Sequence, residues 1–410
     1  MRHQILFSLL LLGSLLLSCQ QNTSTKDKQV DESTSIPELL DRNEALYHGK
    51  EWDNVQNQYA QFRDKILANA DAGEARLFMA QLFMNEARIT GEHGHYYPAA
   101  LELLNKAIEA DTENNDLLFR ALSSKAAVLL SQHDFSQALE VGQKAVAMNP
   151  YNAFIYGVLV DAHVELGQYE KAVEMADKMM SIRPDLRSYA RVSYLREIHG
   201  DVDGAIEALE MAVKAGYPGY EQTSWTRLTL GELYQRYDRV EQAEQAFQMA
   251  LQERPDYPFA YAALAELKIE QKAYEAAEKL LKQAAAIIPE VGFYEQMAHI
   301  YKVKGNQIDF EKTIAIIFSM LQDDVDSGHN MNLEYATIYS ELLQDYDKAL
   351  EYALAEWEKR PENIDVNRQL AGIYFVQNNL EKAQNHFEKA QKTNSKHPDL
   401  LVLQGQLAMN

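Results

Sequence analysis

Two short apolar patterns alternate along most of the chain. One sets small residues around a bulky one in the order A-x-x-x-Φ-x-x-A, most clearly at Ala243, Phe247, Ala250 and at Ala383, Phe387, Ala390. Ala277, Leu281, Ala284 and Ala205, Leu209, Ala212 repeat it, as do Ala100, Leu104, Ala107 and Ala138, Gly142, Ala145. Steps of four and then three residues fall on one face of an α-helix. Alanine on that face lets a neighbouring helix come close, and the bulky residue fills the gap between them. Ahead of these stretches lies a second pattern, as in Leu230-Gly231-Glu232-Leu233-Tyr234, Leu370-Ala371-Gly372-Ile373-Tyr374 and Met297-Ala298-His299-Ile300-Tyr301. It predicts a first helix, joined to the second by a glycine or polar turn such as Glu165-Leu166-Gly167-Gln168-Tyr169. Each unit therefore predicts a helical hairpin.

Prolines set the period. Pro150, Pro184, Pro218, Pro255 and Pro289 recur at a nearly constant interval, and Pro361 follows after two such intervals and a small insertion. A proline just past a helix end stops the helix. A stop about every 34 residues marks an internal repeat. The repeats fill residues 36–397, with ten units expected to start near Ile36, Glu74, Phe119, Ala153, Leu186, Ser224, Pro258, Val291, Asn330 and Ile364. Units within 36–112 and 291–329 are degenerate, and a kink near Val291 would divide the array. Extra residues from Thr90 to Tyr97 read as a loop, and 398–410 reads as a helix capping the last hairpin. A coiled coil is excluded, because glycine and proline interrupt any heptad within each repeat.

Period, L-G-x-x-Y, A-x-x-x-F-x-x-A and closing proline together resemble the tetratricopeptide repeat family. The resemblance implies an all-α fold, a right-handed superhelical solenoid of about ten hairpins. It also implies a protein-binding scaffold and no catalysis. In that family the first helices line a concave groove that takes peptide segments or helices of other proteins. By register, the groove positions are Arg187, Ala190, Tyr194 and Glu197 in the fifth unit, and Trp225, Leu228, Glu232 and Gln235 in the sixth. They are Phe259, Ala262, Glu266 and Ile269 in the seventh, and Glu295, His299 and Lys302 in the eighth. Arg187, Tyr194, Trp225 and Phe259 are the residue types that dominate binding interfaces. The family's Lys-and-Asn clamp for a C-terminal carboxylate has no counterpart at Ser123/Ala127, Gly157/Asp161, Ala190/Tyr194, Leu228/Glu232 or Ala262/Glu266.

The first residues depart from the repeat. A basic start at Arg2 leads into an apolar run from Ile5 to Leu17. The run has signal-peptide length and falls short of a membrane span, which needs roughly 20 residues. It ends at Leu16-Leu17-Ser18-Cys19, which resembles the bacterial lipobox; Cys19 is the one cysteine in the chain. That resemblance implies removal of residues 1–18, lipid on Cys19 and anchoring by two or three acyl chains. Residues 19–35 then form a polar tether with a reach of roughly 20–25 Å. Gln20 in place of aspartate after the cysteine points to the outer membrane of a bacterial envelope, facing the periplasm.

Charge narrows the partners. With 39 basic and 61 acidic side chains the net charge is −22. This disfavours nucleic acid and anionic lipid surfaces and favours neutral or basic protein partners. There is no G-x-S-x-G, H-E-x-x-H, P-loop or C-x-x-C, and no cofactor or metal is expected. His93 and His95 are the one candidate metal pair and are read as solvated; Asp161 with Glu165, and Glu295 with His299, share helix faces, as a chain with 61 acidic side chains produces by chance. Envelope assembly or secretion is the expected setting. The alternative is a glycan or small-ligand binder of a nutrient-uptake system.

Overall fold

A computed structural model describes residues 36–69, 71–110 and 113–409. The expected signal peptide, Cys19 and the tether lie outside them. Twenty α-helices and no strand occur among the described residues. A segment with one 3-10 turn (Glu44–Leu46) leads into a single helix, α1 (Glu51–Ala68). Hairpins follow: α2 (Gly73–Thr90) with α3 (His93–Ala110), α4 (Asn115–Ser131) with α5 (Phe135–Met148), and α6 (Ala153–Glu165) with α7 (Tyr169–Ile182). Next come α8 (Leu186–Ile198) with α9 (Val202–Ala215), α10 (Glu221–Arg236) with α11 (Val240–Glu253), and α12 (Pro258–Glu270) with α13 (Tyr274–Ile287). Then α14 (Val291–Val303) pairs with α15 (Gln307–Asp326), and α16 (Asn332–Thr337) runs into a π-helical segment (Ile338–Leu343) before α17 (Tyr346–Lys359). The last hairpin is α18 (Ile364–Val376) with α19 (Leu380–Ala390), and α20 (Pro398–Ala408) closes the series. The ten expected units are there, the first reduced to one helix.

The hairpin turn is a backbone device. After the first helix, one residue takes the left-handed conformation: His133, Gly167, Gly200, Asp238, Lys272, Gly305, Gln344 and Asn378, with φ between 56° and 80°. Glycine enters this conformation without strain, and Asn or Asp tolerates it, so the sequence at the turn varies while its geometry does not. An Asp or Asn just before many second helices then caps them, as Asp134, Asp201 and Asn379 do through their side-chain oxygens.

Packing within a hairpin follows the small–bulky–small rule. Ala243, Phe247 and Ala250 are fully buried, and a Cβ on Gly231 would lie 2.3 Å from the Phe247 ring. The glycine is a socket for the ring. Burying one such side chain stabilises by about 1.5–3 kcal/mol, and the array repeats the arrangement from unit to unit.

One expectation is corrected. The stretch from Thr90 to Tyr97 is not a loop: Gly91 (φ 75°) ends α2 and α3 begins at His93, with Pro98 accommodated inside it. At Val291, where the sequence left a kink open, α14 and α15 form a regular pair; the extra residues lengthen α15 to 20 residues. The irregular place is one unit later, at the π-helical Ile338–Leu343. There the Lys302 ammonium donates to the carbonyls of Glu341 and Leu342. A helix end leaves such carbonyls without backbone partners, and the ammonium supplies one.

Within Pro37–Asn410, one compact unit, the solenoid closes on itself. Residues 195 to 203 apart in sequence touch, which is about six repeats per superhelical turn. Arg254 donates to Glu51, and Glu51 also pairs with Arg42, itself bidentate on buried Glu86. Asn330 N–H donates to the Gln132 carbonyl at 3.2 Å, and the His133 ring pairs with the Asn330 carbonyl at 2.9 Å. Arg360 pairs with Glu165 and Glu356, and the Ile364 N–H donates to the Tyr169 hydroxyl at 2.9 Å. Gly167 and Gly200 sit so close to the next turn that a Cβ would fall 2.4 Å from Glu362 and 2.5 Å from the Asn394 carbonyl. This seam is largely polar, with Ile364 and Leu46 as apolar contacts across it, in contrast to the alanine-rich joints within hairpins.

Candidate functional site: the inner face of the first helices

First helices place their early residues in a row across successive units. The Arg187 guanidinium lies 5.9 Å over the Phe154 ring and donates to Gln222. Trp225, 49% exposed, meets Phe259 edge-on at 5.4 Å, and Phe259 meets Phe293 at 5.8 Å. Tyr257 closes on Phe259 from behind at 5.5 Å. Phe154 with Arg187 thus forms one group and Trp225, Phe259 and Phe293 another, the last of these buried in the core at 4% exposure. Phe154 and Phe293 were not singled out in the sequence. Phe154 follows from the register that gives Arg187 and Trp225, whereas Phe293 sits one position off it in the degenerate eighth unit.

A second row lies one to two turns further along the same helices. Glu232, Glu266 and Glu295 each have the carboxyl pushed up by burial; Arg236 partly offsets this at Glu232, and Glu232 adds to it at Glu266. Glu295 rises to about 7, with Glu341 and Glu334 adding to burial. Crowding like charges in a partly desolvated place disfavours their ionised forms, and a cation among them would relieve that. His299, on the same row, is exposed. Glu197 is not available to a ligand: it is buried and pairs with Arg236 at 2.5 Å.

Tyr194 has a different setting. Its ring is 39% exposed but borders a cavity of about 310 Å³ whose far wall is the next superhelical turn, including Asp365, Arg368 and His397. Burial and then Asp365 hold its hydroxyl well above the usual tyrosine range. So the expected positions divide: Trp225, Phe259, Glu232 and Glu266 share one region, Arg187 stands at its edge beside Phe154, and Tyr194 looks into a space shared with α18 and α20.

A larger cavity, about 680 Å³, lies where the α4–α5 turn meets the segment after α15; Phe135, Tyr335, Tyr352, His133 and Asn332 line it. His93 is not solvated as the sequence suggested. It stacks on Tyr97 at 5.3 Å and faces His329 at 6.3 Å across the seam. Burial, His329 and His133 lower its pKa to about 4. His95 turns elsewhere, its ring pairing with the Glu38 carbonyl at 2.9 Å. The Asp161 and Glu165 carboxylates do not act as a pair: Arg191 holds the first and Arg360 the second. No group of three or more metal-ligating side chains arises among the described residues, and no helix there is long and apolar enough to cross a membrane.

Comparison with known proteins agrees with this architecture. No curated protein matches the chain. Among solved structures, the human IFIT1 dimer with PPP-AAAA is 15% identical with a TM-score of 0.51, over 84% of this chain and 78% of that one. The APC/C hetero-tetramer Cut9-Hcn1 is 13% identical with a TM-score of 0.48, over 93% of this chain; that match spans 63% of the other protein's length. PilW, a type IV pilus biogenesis factor, is 17% identical with a TM-score of 0.41, over 49% of this chain and 93% of that one. The tetratricopeptide repeat family model matches residues 129–196 and 238–291, and the chain carries tetratricopeptide repeats through these segments.

Proposed function

We propose that this chain is a lipid-anchored scaffold of the bacterial envelope that holds a neutral or basic segment of a partner protein on the inner face of its repeats, in envelope assembly or secretion. The exposed Arg187 and Trp225, with the half-buried Phe259 beside Trp225, carry the reading. They set aromatic and arginine side chains on successive first helices near carboxylates that favour a cation. The repeat class supplies a binding surface. Leu16-Leu17-Ser18-Cys19 supports lipid attachment at Cys19, and Gln20 supports outer-membrane residence. The test is a crosslinked pull-down from native envelopes. Wild type is compared with Arg187, Tyr194, Trp225 and Phe259 all changed to Ala, with helicity checked. A folded variant that loses one dominant protein partner upholds the reading; one that keeps every partner overturns the site. Metabolic labelling with an alkynyl fatty acid, lost on Cys19→Ala, tests the anchor.

The larger cavity, beside Phe135 and Tyr335, favours a second reading: binding of a glycan or another small polar ligand between aromatic rings and amides. Capture of no protein by the wild type would favour it.

A further inference from the structure

The last helix, α20, is apolar on two faces. Leu400 and Leu403 are buried against Ala371, Phe387 and Ala390 of the last hairpin. Leu401, Val402, Gly405 and Ala408, with Met409 just past the helix end, are all exposed, Leu401 at 48%, Val402 at 60% and Met409 at 80%. These five fall at i, i+1, i+4, i+7 and i+8, one uninterrupted stripe of a helix. A closing helix at the end of a repeat array is expected to turn a polar face outward. This one does not.

The register says what the stripe is. Gly405 stands one repeat after Ala371, the small residue that shares a core with Phe387. Gly231 has the same place in its own unit and is covered by the Phe247 ring, whereas a Cβ on Gly405 would meet no atom within 4 Å. The stripe on α20 therefore continues, in kind and in register, the helix-on-helix interface found inside each hairpin, with its covering helix missing among the described residues.

We propose that a second copy of this chain covers it, α20 packing antiparallel on α20 about a twofold axis near Gly405. The stripe is self-complementary for that arrangement: a glycine at the centre allows close approach, and Leu401 of one copy meets Met409 of the other. Charge permits it at this end. Residues 380–409 hold four lysines against two glutamates and one aspartate, in a chain whose net charge is −22. The acidic remainder of the surface repels a like copy, and this end does not. The stripe is one face of an 11-residue helix. That is smaller than the about 800 Å² per partner of a standard stable interface, so a weak, concentration-dependent dimer is expected. The inference stands apart from the reading of the inner face.

Sedimentation velocity of the full chain from about 1 to about 200 µM tests it. The sedimentation coefficient should rise with concentration to the dimer value in the wild type. Leu401→Glu with Val402→Glu, at two exposed positions, should weaken association at least tenfold with helicity unchanged. A second measurement removes any contribution from the apolar start of the chain. In a Cys19→Ser background, Gly405→Cys on the axis should oxidise to a disulfide-linked dimer, and Gln404→Cys, off the stripe, should not. A wild type that stays monomeric throughout overturns the proposal. So does association that the two glutamates leave unchanged, and so does equal crosslinking at 404 and 405.

Discussion

The carboxylate of Glu165, at the end of α6, meets the guanidinium of Arg360, just past the end of α17, across 195 residues of sequence. Arg360 also holds the buried Glu356, and its guanidinium lies 4.9 Å from the centre of the Phe135 ring. Removing one partner of a buried ion pair leaves the other charge uncompensated. Arg360→Ala is therefore expected to destabilise the fold by about 3–5 kcal/mol. Glu165→Gln should cost clearly less, since Arg360 keeps the buried Glu356 as its charge partner. Urea unfolding followed by circular dichroism measures both. Equal effects of the two substitutions would contradict the buried arrangement.

The Gly231–Phe247 contact makes a paired prediction. Phe247→Ala should cost about 3–5 kcal/mol by leaving a cavity. Gly231→Ala should also destabilise, because the added methyl would sit 2.3 Å from the ring. The double variant Gly231→Ala, Phe247→Leu should recover part of the loss of the first single change. Additive losses in thermal unfolding would refute the socket.

On the inner face, Trp225 and Phe259 should separate stability from binding. Trp225 is half exposed. Its change to Ala is expected to alter stability by under about 1 kcal/mol while lowering partner capture at least tenfold. A large loss of Tm with capture unaffected would assign the ring to packing.

The seam should respond to pH in two opposite arms. Glu290, whose carboxylate abuts Gly91, is raised to about 7 by burial and by Asp324, and Asp324 to about 6 by burial, Asp323 and Glu334. Raised carboxyl groups contribute stability that is full below their unfolded values and lost as pH rises through about 7. His93, lowered to about 4, contributes stability that is full above 6.5 and lost as pH falls toward 4. Tm should thus rise as pH falls from about 8 toward about 5, with His93 cutting into the gain below 6.5. Glu290→Gln should flatten the rise and His93→Asn should steepen its acid part; a profile that neither substitution changes would contradict this account.

The hairpins and their joints were legible in the sequence because they depend on contacts between near neighbours along the chain. Ala243, Phe247 and Ala250 announce a helix face, while the Gly231 socket for the Phe247 ring appears only in the structure. The turns were legible as well, although His133 and Lys272 show that glycine is not what defines them. The seam was not legible. Glu165 and Arg360 belong to different repeats with no shared spacing, and only the number of hairpins per superhelical turn brings them together. His93 was misjudged for the same reason, since the rings that bury it come in part from 329. The contact between Trp225 and Phe259 was readable because the register is regular there. Phe293, one residue out of step, turns into the core instead.

Closure after about six repeats also changes what the repeats are to one another. In an open solenoid any unit could be copied or deleted, and its neighbours would simply rejoin. Here each unit answers to the one above it as well as the one beside it. Adding one more unit in the middle would set Arg254 against a residue other than Glu51 and Arg360 against one other than Glu165. Every contact of the seam would miss by one step. The array behaves as a thread cut to a fixed pitch, whose length at the centre cannot be altered without unwinding it.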